Sequence, residues 1–207
     1  MKGLLLKDWY AIKSYFRAFF LMDIIFIVGS CFAYGNLFFL IYPCIFSGMI
    51  SMSLIAYEEK EKWNIYAGTL PYSKAQLVSS KYVVSLFIGL LTILAMSSVQ
   101  MGMMLYKHEF NLFTILNFIT ILLPVSLLPT AILLPFVYRF GAEKGRIIYY
   151  IVIAVFCGSV GFLGGIKDYN LSVSKNYNFD VIAFLAAVLI FGVSWLLSVK
   201  FYQNREI

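Results

Sequence analysis

Residues 82–106 read YVVSLFIGLLTILAMSSVQMGMMLY, without a single Asp, Glu, Lys or Arg. About 20 apolar residues let an α-helix cross the ~30 Å hydrocarbon layer of a bilayer, so this stretch predicts a membrane-spanning helix. Similar blocks lie on both sides of it, at about 18–34, 37–57, 112–138, 147–166 and 181–201. Composition agrees: 62% of the 207 residues are apolar and 13% are charged, where a soluble domain carries about 25% charged residues. Too few polar residues remain to cover a water-facing surface. The expected fold is a single all-α transmembrane domain over 1–207, with six transmembrane helices.

The charges between the blocks set the orientation. Lys2, Lys7, Lys13, Arg17, Lys60, Lys62, Lys74, Lys81, Arg139, Lys144, Arg146, Lys200 and Arg205 fall on one side, and only Lys107, Lys167 and Lys175 on the other. Basic residues gather on the cytoplasmic side of membrane proteins, so the N and C termini are both expected in the cytoplasm. The net charge of +6 thus reflects topology, and the bilayer rather than nucleic acid is the expected partner. Cys31, Cys44 and Cys157 all lie inside apolar blocks without metal-ligand spacing and read as small packing residues. Val28-Gly29-Ser30-Cys31 loosely resembles a lipoprotein cleavage site. However, the preceding stretch is a poor basic n-region and Asp23 interrupts the apolar run, so a retained first span is expected.

Residues 1–17, MKGLLLKDWYAIKSYFR, plot as an amphipathic helix. Leu4, Leu5, Trp9, Ile12 and Phe16 share one arc, while Lys2, Lys7, Lys13, Ser14 and Arg17 occupy the other. Such a helix suits the membrane interface; the alternative is a plain cytoplasmic lead-in.

Between the second and third blocks runs the one long polar stretch, residues 58–81. Glu58 to Ala67 predicts a short helix outside the membrane, stopped by Gly68. Thr69-Leu70-Pro71 makes an extended turn, because proline disfavours helix at the preceding residue. Ser73 is placed to cap the next helix, with Gln76 completing a capping box. That arrangement suits a knob that transmits force from a soluble partner; an ordinary solvated connection is the alternative.

The run Tyr57-Glu58-Glu59-Lys60, Trp63, Tyr66, Thr69-Leu70-Pro71-Tyr72-Ser73-Lys74, Val78 and Lys81-Tyr82 resembles the loop of ABC type-2 permeases, the membrane subunits of ATP-driven exporters. Permeases for phenol-soluble modulins and peptide antibiotics are the most similar in kind, and Leu6-Lys7-Asp8 ahead of an interfacial helix also resembles that group. The resemblance implies a coupling helix from Glu58 to Gly68, with Glu58, Glu59, Glu61, Trp63, Tyr66, Leu70 and Pro71 contacting an ATPase. It implies that Lys7, Asp8 and Trp9 belong to a connecting helix nearby. It further implies two copies of this chain with two cytoplasmic ATPase subunits, in a bacterial plasma membrane. No cofactor is expected on this chain; ATP and Mg would sit on the partner. In keeping with that, the chain has no G-x-x-x-x-G-K-[ST] phosphate loop, so it is not expected to be an enzyme.

Cys157, Gly161 and Gly165 recur every four residues in the fifth block, with Gly158 beside them, forming a face where helices can approach closely. Ser47, Gly48, Ser51 and Ser53 form a similar mildly polar face in the second. The resemblance puts both blocks beside the translocation path, making Ser47, Gly48, Ser51, Gly158, Gly161 and Gly165 the expected path or dimer-interface residues; packing within one subunit is the alternative. Pro124, Pro129 and Pro135 predict a kinked or partly broken fourth span. Asp23 reads as a structural polar contact, because only Asn117 and Gln100 accompany it within the spans. The lone His108 makes no metal site.

Two classes of function stand against each other. The first is an exporter permease, moving amphipathic peptides or hydrophobic compounds. The second is a stand-alone ion-coupled carrier or intramembrane enzyme. Carriers commonly show internal repeats, and intramembrane enzymes need inward-facing catalytic groups; the chain shows neither.

Overall fold

The structure, a computed structural model, describes residues 2–15, 17–32, 37–67, 69, 71–108, 110–151, 154 and 177–204. Among these every regular element is helical. The order is α1 (Lys2–Tyr15), α2 (Arg17–Phe32), α3 (Leu37–Lys60), α4 (Trp63–Ala67), α5 (Lys74–Tyr106) and α6 (Leu112–Phe140). A helix α7 covers 142–151, and α8 runs Tyr177–Gln203. Four stretches are long and apolar enough to cross a membrane: Phe39–Lys60, Lys74–Tyr106, Leu112–Phe140 and Val181–Gln203. These match the expected second, third, fourth and sixth spans. The apolar part of α2, Phe19–Ser30, is shorter, and most of the expected fifth span lies outside the described residues.

α6 is the central helix, packing against α3, α5 and α8, while α3 also touches α1, α2 and α5. Three apolar clusters hold the bundle together. At its basic end, Met52, Val78, Leu133, Val137, Tyr149 and Tyr202 join α3, α5, α6, α7 and α8. Ile12, Ile50, Leu54, Val84 and Ile88 fasten α1 onto α3 and α5. Toward the other end, Leu40, Cys44, Ile93, Met96, Phe118 and Leu122 close α3, α5 and α6. Outward faces stay apolar too, as on α5 with Phe87, Leu90, Leu94, Met101 and Leu105; lipid tolerates such a surface and water does not.

α5 starts as its sequence predicts. Ser73 is extended (φ −72°, ψ 150°) and its side chain accepts from the Gln76 N–H. The Gln76 side chain in return accepts from the Ser73 N–H at 3.1 Å, completing the capping box.

Of the kinked or partly broken fourth span expected, the break is not found: α6 is one continuous helix with Pro124, Pro129 and Pro135 inside it. Part of the reason is visible at Pro135. A proline donates no N–H to the carbonyl four residues back, here that of Ala131. Ser194 of α8 supplies the missing donor, its Oγ lying 2.6 Å from the Ala131 oxygen. Gly141 (φ 88°, ψ 166°) then ends α6 in a positive-φ conformation that suits glycine, and its N–H returns to the Val137 carbonyl.

Candidate functional site: an ionic junction beneath the short helix

Three elements converge at the basic end of the bundle. On α1, Leu4, Asp8 and Ile12 lie one turn apart and all are buried, so the packed face of α1 is centred on a carboxylate. Trp9, on the apolar arc with Leu5 and Ile12, is about half exposed and lies edge-on to Phe87 at 5.7 Å. The last turn of α3 brings Glu58, and the second turn of α5 brings Lys81.

Lys81 Nζ lies 2.6 Å from Asp8 Oδ1 and 2.6 Å from Glu58 Oε1. Lys7 Nζ pairs with the same Glu58 oxygen and stands 3.6 Å from Asp8 Oδ1. Side-chain exposure is 1% for Asp8 and 5% for Lys81, against 30% for Lys7 and 17% for Glu58. Two cations and two anions make a neutral group, and each carboxylate touches both ammoniums. Neutrality is what makes the burial tolerable, since a lone buried charge costs several kcal/mol. Asp8 Oδ2 has no hydrogen-bond partner. Asp8 also borders a cavity of about 90 Å³ that Tyr57, Glu58, Glu61 and Trp63 help to line.

The short helix α4 leans on this group. Lys7 Nζ sits 3.9 Å from the centre of the Trp63 ring, a cation–π contact. Trp63 packs against Tyr66 with ring centres 5.2 Å apart. Tyr66, Glu61 and Pro71 are exposed, whereas Ala67 is buried. This corrects the expected helix from Glu58 to Gly68. Glu58 and Glu59 continue α3 to Lys60, and only Trp63–Ala67 form the separate helix. The break falls at Lys62, whose φ is 54°. Glu58 stays in α3 because Lys7 and Lys81 hold it there. Glu59 is held as well, its Oε2 accepting the Ala142 N–H at 2.8 Å, a carboxylate at the start of α7. Lys74 Nζ donates to the Gln203 carbonyl at 3.2 Å, tying the start of α5 to the end of α8.

The expected site residues therefore divide. Lys7, Asp8, Glu58 and Trp63 come together in one junction, with Glu61 beside its cavity. Glu59 faces α7. Ser47, Gly48 and Ser51 are buried within the chain. A Cβ on Gly48 would meet Pro129 Cβ and Thr130 Oγ1 at 3.2 Å, so α3 and α6 touch backbone to backbone there. Leu70, Gly158, Gly161 and Gly165 lie outside the described residues. Asp23 is half-buried. In the sequence Lys81 is a basic flank and part of the permease-like run; its burial depends on Asp8 and Glu58, which lie far from it in the chain and leave no local signal. A second polar group joins residues more than a hundred positions apart and has no local sequence signal: the Tyr82 hydroxyl lies 2.7 Å from both Ser194 Oγ and Ser198 Oγ.

No curated protein and no solved structure matches this chain. A family model described as "ABC-2 family transporter protein" matches residues 3–203. That match takes in α1, the ionic junction, α4 and all the long apolar helices: the chain belongs to the ABC-2 family of membrane transporter proteins.

Proposed function

We propose that the chain is the permease subunit of an ABC exporter, driven by ATP hydrolysis on a separate cytoplasmic ATPase. It spans the bacterial plasma membrane six times with both ends in the cytoplasm. It works as a dimer of two copies with two ATPase subunits, which carry the ATP and Mg. Amphipathic peptides or hydrophobic compounds, matched to the aromatic-rich spans, are the substrates.

One observation carries the coupling part of this reading: α4 is attached to the spans through a buried ionic junction. Tyr66, Glu61 and Pro71 are exposed beside it, offering an aromatic and charged knob to a soluble partner. Displacement of α4 would pull on Lys7 through Trp63. Through Glu58 and Lys81 it would then reach α3 and α5 at once. A bistable packing change of this kind is how small local shifts become alternating access. Leu70 completes the docking turn. Trp9 keeps α1 in the interface. Gly158, Gly161 and Gly165 line the path or the dimer seam, which Ser47, Gly48 and Ser51 join when α3 parts from α6.

The test uses the chain co-purified with a candidate ABC ATPase. Tyr66→Ala and Trp63→Ala should abolish ATP-dependent transport and weaken the complex, while Tyr66→Ala leaves thermal stability intact. Unchanged complex formation together with unchanged transport would overturn the coupling assignment.

A further inference from the structure

Between α1 and α5 runs a groove of about 450 Å³ whose lining residues are all apolar. Leu6, Trp9 and Ile12 of α1 face Val83, Phe87 and Ile88 of α5 across it. Leu6, Trp9, Val83 and Phe87 keep 45–60% of their surface exposed, so none of the described residues fills it. α5 is a membrane-crossing helix, and a groove along it opens to hydrocarbon rather than water. Its size falls in the range of small-molecule sites, roughly 300–1,000 Å³.

Charge at the rim says what kind of lipid enters. Lys13 stands at the edge of the basic arc, one turn beyond Trp9 and only about 40° round α1 from it, and it is exposed. Long helical side chains lean back over the preceding turn, so its ammonium is within reach of a headgroup at the Trp9 end of the groove. Arg17, also exposed, opens α2 just beyond. The one carboxylate of α1, Asp8, is turned away and held by Lys81, so no negative charge of α1 opposes an anion here. We propose that α1 and α5 hold an anionic phospholipid, with one acyl chain in the groove and its phosphate on Lys13 and Arg17. Lipid then braces the outer face of α1, while the ionic junction holds its inner face.

The experiment reconstitutes the full chain in nanodiscs with phosphatidylglycerol bearing a photoreactive acyl chain, and compares phosphatidylcholine bearing the same group. Each basic residue near an anionic headgroup is worth about fivefold in occupancy. Phosphatidylglycerol should therefore label the groove segments of α1 and α5 several-fold more than phosphatidylcholine. Lys13→Glu combined with Arg17→Glu should erase that preference, and Lys144→Glu combined with Arg146→Glu, the same charge change at two other exposed positions, should preserve it. Equal labelling by the two lipids means ordinary boundary lipid and overturns the proposal. So does covalent joining of two copies through Val83→Cys by a bifunctional maleimide, in a background without the native cysteines. In that case a second copy covers the groove.

Discussion

Ser194 donates its hydroxyl hydrogen to the Ala131 carbonyl, 2.6 Å away, which is the carbonyl that Pro135 leaves without a helical donor. That assignment sets the direction of the neighbouring bonds. A serine hydroxyl has one hydrogen, so Tyr82 must donate to Ser194, and Ser198 in turn donates to Tyr82. A relay of hydroxyls thus links α5 and α8 to the weak point of α6, inside a region where an unpaired polar group is expensive.

Ser194→Ala should lower stability by about 1–2 kcal/mol, the cost of a lost buried bond in a membrane helix bundle. Thermal unfolding in detergent measures it. In a Pro135→Ala background, residue 135 regains its N–H and serves the Ala131 carbonyl itself. The penalty of Ser194→Ala should then shrink measurably. Simple additivity of the two substitutions would show that the hydroxyl does not serve this carbonyl.

Lys81→Met should be far more damaging, by about 3–5 kcal/mol, because it strands buried Asp8 beside Glu58. Asp8→Leu combined with Lys81→Met should recover most of that loss, since Lys7 and Glu58 still neutralise each other. Detergent-solubilised yield and melting temperature of the three variants give the comparison. A double variant no better than Lys81→Met alone would contradict the pairing.

Two glycines should respond in opposite directions. Gly48→Ala sets a methyl group 3.2–3.3 Å from Pro129 and from the backbone and side chain of Thr130, and should cost about 1–3 kcal/mol by overpacking. Gly102→Ala meets nothing within 4 Å and should stabilise α5 by roughly 0.5–1 kcal/mol. The same melting experiment reads both.

Ser73→Ala removes the cap of α5 and should cost about 1 kcal/mol. The loss should stay local. Hydrogen exchange should quicken at Gln76, whose N–H bonds the Ser73 hydroxyl, while amides around Ile88 and Ile93 keep their protection. Faster exchange throughout α5 would mean that the cap carries more than the first turn.

What was legible in the chain follows from the range of the forces involved. Long apolar runs such as 82–106 announce helices by themselves, because a bilayer demands continuous hydrophobic length. The Ser73–Gln76 box was readable because its partners are three residues apart. Glu58 was misassigned because its partners are not local: Lys7 and Lys81 lie 51 and 23 positions away. A run such as Glu58-Glu59-Lys60-Glu61 looks solvated until those partners arrive. Asp8 stands in the sequence only as part of a connecting helix, and its burial depends on a lysine 73 residues later. The unbroken α6 was hidden for the same reason, since Ser194 lies 63 positions from the carbonyl it serves.

The spacing between Asp8 and Lys81 also has a consequence in time. A ribosome adding about 5–20 residues per second makes Asp8 several seconds before its buried counter-ion exists. Until α5 begins to emerge, α1 has no neutral seat and must remain at the water boundary. The docking of the first helix thus waits for α5, so the start of the chain is seated only after two longer helices have followed it.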